Sequence, residues 1–264
     1  MKKSIVVGTM NIQNQYKISN YDGRDLRGND NALILRTFLD EYNIDILGTQ
    51  ELVRKFINRL RLILKPKYNI YGSFRYGSTL FVKKISIFDR FNETASIITK
   101  NKVISSKTKV LPWIPRKFSD ITSSIRTKSL RPRVVTSCII DIEGFGRVNF
   151  INTHLETKQA IIQIRQLNYL QKMIERSKYP VILTGDFNMN TNLPRFKNFI
   201  KNLESINYKR IPNNEMTWKY QKDKLPIDHI FIPMDWKIEK IDIIKSKDLR
   251  YFSDHYPILV KISK

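Results

Sequence analysis

Short β-branched runs alternate with longer amphipathic stretches along this chain. The runs predict strands over 4–10, 44–49, 79–82, 95–99, 134–142, 148–153, 181–185, 227–232 and 257–262. Helical spacing predicts helices over 30–42, 51–64, 158–176 and 193–203. In the second, Leu52, Phe56, Leu60 and Ile63 fall on one face; in the third, Ile161, Ile164, Leu167, Leu170 and Ile174 do so. Strands occur in clusters as well as alternating with helices. That order favours two packed sheets with helices outside over a doubly wound parallel sheet.

Many of the apolar runs end in polar residues. Ile5-Val6-Val7-Gly8-Thr9-Met10 stops at Asn11, and Ile46-Leu47-Gly48-Thr49 at Gln50-Glu51. Val148-Asn149-Phe150-Ile151 runs into Asn152-Thr153-His154, and Val181-Ile182-Leu183-Thr184 into Gly185-Asp186-Phe187-Asn188. Asp228 opens Asp228-His229-Ile230-Phe231, and Ser253-Asp254-His255 precedes Tyr256-Pro257-Ile258-Leu259. Rigid strands hold polar side chains at their ends well, so six such segments predict one convergent site. All 3 histidines, His154, His229 and His255, lie in them. His229 follows Asp228 on a strand, so its side chain faces the opposite way and is read as structural.

The chemistry of these residues suits phosphate-ester hydrolysis. A few carboxylates with water and substrate oxygens are what Mg²⁺ takes as ligands. No cysteine pair or His-x₃₋₅-His spacing marks structural zinc, no Gly-x-Ser-x-Gly marks a serine hydrolase, and no Gly-x₄-Gly-Lys-Ser/Thr marks a nucleoside triphosphatase.

In this order, Thr9-Met10-Asn11-Ile12, Gln50-Glu51, Asn152-Thr153-His154-Leu155, Gly185-Asp186-Phe187-Asn188, Ile227-Asp228-His229-Ile230 and Ser253-Asp254-His255-Tyr256-Pro257 resemble the endonuclease/exonuclease/phosphatase superfamily. The His154 segment resembles its His-bearing branch, which includes deoxyribonuclease I, sphingomyelinases, deadenylases and inositol-polyphosphate 5-phosphatases, rather than the AP endonucleases. The resemblance implies a four-layer α/β sandwich, two mixed β-sheets face to face with helices outside, and a hydrolase that uses Mg²⁺ or Mn²⁺. It implies Glu51, Asn11 and Asp254 as metal ligands, and Asp186 and Asn188 as the residues that position water and a phosphate oxygen. His255, oriented by Asp228, serves as base or stabilises the phosphoryl oxygens, and His154 donates to phosphate or to the leaving group. Glu93 and either Arg131 or Arg133 are expected beside His154, and Arg165 matches a recurring arginine after the Asn-Thr-His motif.

Charge narrows the substrate. Lysine and arginine total 47 against 24 acids, a net charge of +23, which favours polyanions. The segment 100–133 holds ten basic residues against Asp120 alone, with Trp113 available for stacking, and reads as a basic loop inserted in a single domain over 1–264. Arg131, Arg133, Trp113 and Arg165 are therefore the expected substrate contacts. A nuclease acting on DNA or RNA is the favoured reading; a phosphodiesterase or phosphatase for a lipid or inositol-phosphate headgroup is the alternative. No apolar run approaches the roughly 20 residues of a membrane span. The N-terminal apolar stretch is too short for a signal peptide, and the sole cysteine, Cys138, excludes an intrachain disulfide. A monomeric, cytoplasmic protein is expected.

Overall fold

In a computed structural model, the structure describes residues 4–13, 30–75, 93–113, 132–220, 225–246, 249 and 252–264. In chain order the strands are β1 (Ser4–Asn11), β2 (Ile46–Val53), β3 (Asn69–Tyr71), β4 (Glu93–Thr99), β5 (Lys102–Val110), β6 (Val134–Ile142), β7 (Gly146–His154), β8 (Val181–Asp186), β9 (Tyr208–Arg210), β10 (Asp228–Pro233), β11 (Lys237–Ile243) and β12 (Ile258–Ser263). The helices are α1 (Asn31–Glu41), α2 (Arg54–Leu64), α3 (Ala160–Glu175) and α4 (Pro194–Ser205).

The strands form two mixed sheets of six, ordered β11-β12-β1-β2-β4-β3 and β5-β6-β7-β8-β10-β9. Each contains one parallel pair, β1–β2 or β7–β8, joined through a crossover helix, α1 or α3. Three apolar clusters separate four layers. One packs α1 and α2 on the first sheet through Leu35, Phe38, Phe56 and Leu60. The second lies between the sheets and includes Ile5, Val7, Ile46, Phe150, Ile182 and Ile230. The third packs α3 and α4 on the second sheet through Leu167, Leu170, Phe196 and Phe199. The expected four-layer α/β sandwich is thus the observed fold. Cys138 belongs to the middle cluster, where burial pushes its thiol up to about 12, as befits a core residue. Among the described residues no helix is long and apolar enough to cross a membrane.

Several local expectations need correction. α2 begins at Arg54 rather than at 51, because β2 continues through Val53. On α3, Ile161 and Ile164 are 46% and 40% exposed, and the buried face instead takes Ile162, Gln163 and Gln166 beside Leu167, Leu170 and Ile174. The two glutamines are buried because they are bonded: Gln163 Nε2 donates to Glu156 O (2.7 Å) and Gln166 Nε2 to Pro112 O (3.1 Å). The segment 100–133 is not a loop throughout, since Lys102–Val110 forms β5, paired antiparallel with β6. An edge strand exposed along most of its length carries no apolar alternation to betray it. Strands β3, β9 and β11 were likewise unforeseen, being short or mostly polar; the strand expected over 79–82 lies outside the described residues.

One close approach between the sheets fixes their spacing near the site. A Cβ added to Gly48 would sit 2.5 Å from Thr184 Oγ1 and 2.6 Å from Asn152 Oδ1. Gly48→Ala should therefore destabilise the fold by about 1–3 kcal/mol, the usual cost of overpacking. Urea unfolding monitored by circular dichroism checks this; an unchanged midpoint would show that the sheets separate freely there.

Candidate active site

On five strands the inner face changes from apolar to polar toward one end. Val7 gives way to Thr9 and Asn11, Ile46 to Gly48 and Gln50, Phe150 to Asn152 and His154, Ile182 to Thr184 and Asp186. On antiparallel β10 the order reverses, from Asp228 to Ile230 and Ile232. Side-chain alternation along strands thus places a polar cap on the inter-sheet core. Strand register aligns it: His154 pairs with Asp186 across β7–β8, and Asp186 with Asp228 across β8–β10. Asn11 pairs with Gln50 in the other sheet.

The layer beneath the site is built from amides. Gln50 Nε2 donates to Asn152 Oδ1 (2.7 Å) and Thr9 Oγ1 (3.1 Å), and Thr184 Oγ1 donates to the same Asn152 oxygen (3.2 Å). Asn152 Nδ2 donates across the sandwich to Thr49 O (2.9 Å) and Ser96 O (2.8 Å). These bonds clasp the two sheets where apolar packing ends.

Above the clasp, Glu51 lies at a register shift between β2 and β4, with φ 63°. The left-handed backbone is costly for a glutamate, and such bulges re-aim a side chain. Here Glu51 Oε1 accepts from Asn11 Nδ2 at 3.3 Å, and the same amide nitrogen donates to Asp186 Oδ2 at 3.0 Å. Asn11 Oδ1 accepts from Gln13 N, and Asn11 O from Ser253 Oγ, which ties β1 to the segment that carries His255.

Asp186 is the centre of the cluster. Its Oδ1 accepts from Asn188 N (2.8 Å), and Oδ2 lies 3.6 Å from His154 Nε2 and 3.9 Å from His255 Nε2. Burial and the neighbouring Asp228 carboxylate push its pKa up. Asn188, at φ 52°, anchors its own side chain by donating Nδ2 to Leu155 O (3.0 Å). His255 Nδ1 bonds Asp228 Oδ2 at 2.8 Å. Burial alone would strip the proton from His255, but Asp228, Asp186 and Asp254 outweigh it and raise the ring to about 10. The Asp254 carboxylate accepts from Trp218 Nε1 (3.1 Å), and Trp218 forms an isolated β-bridge with His255.

His154 has the opposite environment. Burial, and the cations Arg133 and Arg75, depress it to about 3. Arg133 Nη1 lies 3.0 Å from both ring nitrogens and donates to Glu93 Oε1 at 2.9 Å. Arg75, unforeseen in the sequence, forms an ion pair with the same Glu93 oxygen. Arg133 was expected to contact substrate. Instead its side chain is 10% exposed and is engaged by Glu93 and His154, the place also expected for Arg131 or Arg133. Trp113 and Arg165 are half-buried, and Arg131 lies outside the described residues.

Two sets of three side chains each bring ligand atoms within 4.8 Å of one another: Glu51, Glu93 and His154, and Asp186, Asp228 and His255. Glu93 is already paired with two guanidinium groups, and Asp228 with His255. His229 stands apart on the other face of β10. Its Nε2 bonds Met189 O (2.8 Å), its ring packs 4.6 Å from that of Phe196, and its Nδ1 has no partner among the described residues.

The sequence matches the model of the Endonuclease/Exonuclease/phosphatase family over residues 8–255, and the chain belongs to that family, whose members are metal-dependent hydrolases. No curated protein matches the sequence significantly. Solved structures share the fold at low identity. An endonuclease/exonuclease/phosphatase from Bacteroides vulgatus superposes with a TM-score of 0.75 at 19% identity, covering 99% of each chain. A mannosyl-6-phosphatase from Bacteroides thetaiotaomicron VPI-5482 gives 0.73 at 18%, covering 98% of this chain and 100% of that one. The human Nocturnin catalytic domain with bound sulfate gives 0.69 at 17%, covering 100% of this chain and 95% of that one.

Buried titratable groups make stability sensitive to substitution and to pH. Glu93→Ala leaves Arg75 and Arg133 without their shared carboxylate and should cost about 3–5 kcal/mol in urea denaturation; a loss below 1 kcal/mol would mean that the guanidiniums find other acceptors. Burial lowers His229 from 6.5 to about 3, so the unfolded chain takes up its proton first. Stability held by neutral His229 is complete above pH 6.5 and falls toward pH 3 by about 1.4 kcal/mol per pH unit. His229→Leu should flatten the unfolding midpoint between pH 6.5 and 4 relative to wild type; an unchanged slope contradicts the assignment.

Proposed function

We propose that this chain hydrolyses phosphodiester bonds in nucleic acid with Mg²⁺ or Mn²⁺ held at Glu51, Asn11 and Asp254. The observation that carries the hydrolase reading is the meeting of Glu51, Asn11, Asp186, Asp228 and His255 around one buried carboxylate. The donor set suits a hard cation. Glu51 and Asp254 would supply carboxylate oxygens and Asn11 its amide oxygen, and the buried acceptors Gln50 Oε1 and Asp228 Oδ1 lack donors among the described residues. When bound, such a cation supplies positive charge for the phosphoryl and leaving oxygens.

The protein groups divide the remaining work. Asp186, oriented by Asn188 N, accepts a proton from the attacking water; its raised pKa makes it a stronger base than an exposed carboxylate. His255 is an imidazolium at neutral pH. Asp228 holds its Nδ1, and Nε2–H is left to donate to a phosphoryl oxygen. This favours charge stabilisation over general-base action by His255. His154, neutral and fixed by Arg133 and Glu93, donates a hydrogen bond to phosphate rather than a proton to the leaving group.

Nucleic acid is the substrate class that the net charge of +23 supports, since phosphate contacts give affinity without regard to sequence. A panel of plasmid, single-stranded DNA and RNA, with inositol phosphates and anionic phospholipids in parallel, tests this. Cleavage of a nucleic acid that EDTA abolishes and Mg²⁺ or Mn²⁺ restores is expected. Phosphate or headgroup release with every nucleic acid intact would overturn the substrate assignment. Glu51→Ala, Asp186→Ala and His255→Ala should each lower kcat by roughly 10²-fold or more while retaining the far-ultraviolet spectrum. Activity should fall in acid as Asp186 is protonated, and fall again near pH 10 as His255 loses its proton. Asp228→Asn should move the alkaline limb to lower pH; a limb that stays in place would remove the His255 imidazolium from the mechanism.

A further inference from the structure

Away from the active site, a cavity of about 450 Å³ opens between the outer face of the second sheet and the C-terminal part of α3. Lys109, Lys172, Arg176 and Lys178 line it with Tyr169 and Tyr179, and no carboxylate lines it among the described residues. Its floor is held by a bonded series. Ser137 Oγ donates to Asn149 Oδ1 (2.7 Å), Asn149 Nδ2 to Ser177 Oγ (3.0 Å), and Ser177 Oγ to Tyr179 O (2.8 Å). The cavity is therefore preformed. Lysine and arginine near a helix C-terminus also offset its dipole, which accounts for Lys172 and Arg176 in part. It does not account for Lys109, which comes from β5 and pairs in register with Val135.

Strand geometry connects this cavity to the catalytic cluster. Ile139, in the cavity wall, lies on the strand whose start adjoins Arg133, and Leu111 N donates to Arg133 O at 2.7 Å. Six residues of strand span roughly 20 Å. Lys107 pairs with Ser137 and Lys109 with Val135, so alternation puts both lysines on the outer face along that path. Cations and aromatic rings together in a concave surface suit the backbone and bases of an unpaired strand.

We propose that the Lys109–Lys172–Arg176–Lys178 cavity is a second binding site for single-stranded nucleic acid, which holds a strand whose scissile phosphate lies at Asp186. This rests on the nuclease reading and deepens it. The site acts on long substrates alone, because one or two nucleotides cannot reach from it to His154.

The test compares Lys109→Glu/Lys172→Glu/Arg176→Glu with an equally charged control, Arg61→Glu/Lys201→Glu/Lys237→Glu, both in full-length protein. Binding of fluorescein-labelled 20-nucleotide RNA and DNA is followed by anisotropy in EDTA over a range of salt. The cavity variant should bind on the order of tenfold or more weakly, with the salt slope reduced by about 2, and the control should stay near wild type. With Mg²⁺ present, hydrolysis of bis(4-nitrophenyl) phosphate should be unchanged in the cavity variant. Equal weakening in both variants, or none in the cavity variant, overturns the second site even if nucleic acid is cleaved. Loss of binding to phosphatidylserine vesicles with oligonucleotide binding intact would also overturn it. If the oligonucleotide binds through the cavity yet is never cleaved, the site stands and the nuclease reading falls.

Discussion

A carboxylate that is 1% exposed must be held by its neighbours, and Asp186 is held from every side. Asn11 donates to it from one sheet and Asn188 N from the turn that follows β8, while His154 and His255 approach from flanking strands. Asp228 stands beside it in register and raises its pKa. Burying two acids this closely is unfavourable unless positive charge is nearby, so the imidazolium of His255 and a divalent cation are what the arrangement calls for. The rest of the site can be understood as support for that one group.

The support is distributed over both sheets, which explains why the fold matters to the chemistry. Glu51 reaches Asn11 through a backbone bulge at positive φ, and the amide clasp of Gln50 and Asn152 fixes the distance between the sheets just below. Gly48 permits that approach because any side chain would strike Thr184 and Asn152. His154 and His255 both approach Asp186 Oδ2, at 3.6 and 3.9 Å, but in opposed electrostatic settings, one depressed by burial and two arginines, the other raised by three carboxylates. Such separation of two like groups is a common basis for assigning distinct roles. β5 and β6 also connect the basic cavity behind α3 with Arg133.

Much of this was legible in the sequence wherever an apolar run ended in a polar residue. The strand ends at Asn11, Asn152, Asp186 and Asp228 were readable because the buried strands have β-branched patterns with clear limits. The opposite facing of His229 followed from strand alternation. Other features were not legible, for physical reasons. β5 is an edge strand with exposed polar residues on most positions, so periodicity gave no sign of it. The buried face of α3 includes two glutamines whose amides are satisfied, and hydrophobicity alone selected the exposed Ile161 and Ile164 instead. Arg75 joins Glu93 and Arg133 through tertiary contact that no local spacing encodes.

A part for Glu51 in binding a hard cation beside Asp186 is open to direct measurement. Titration of the protein with Mn²⁺, followed by loss of the free-ion electron paramagnetic resonance signal, measures that directly. Saturable binding by wild type is expected, weakening on the order of tenfold or more in Glu51→Gln, with competition by Mg²⁺. Equal Mn²⁺ binding by both proteins, or none by the wild type in the presence of phosphate, would contradict it.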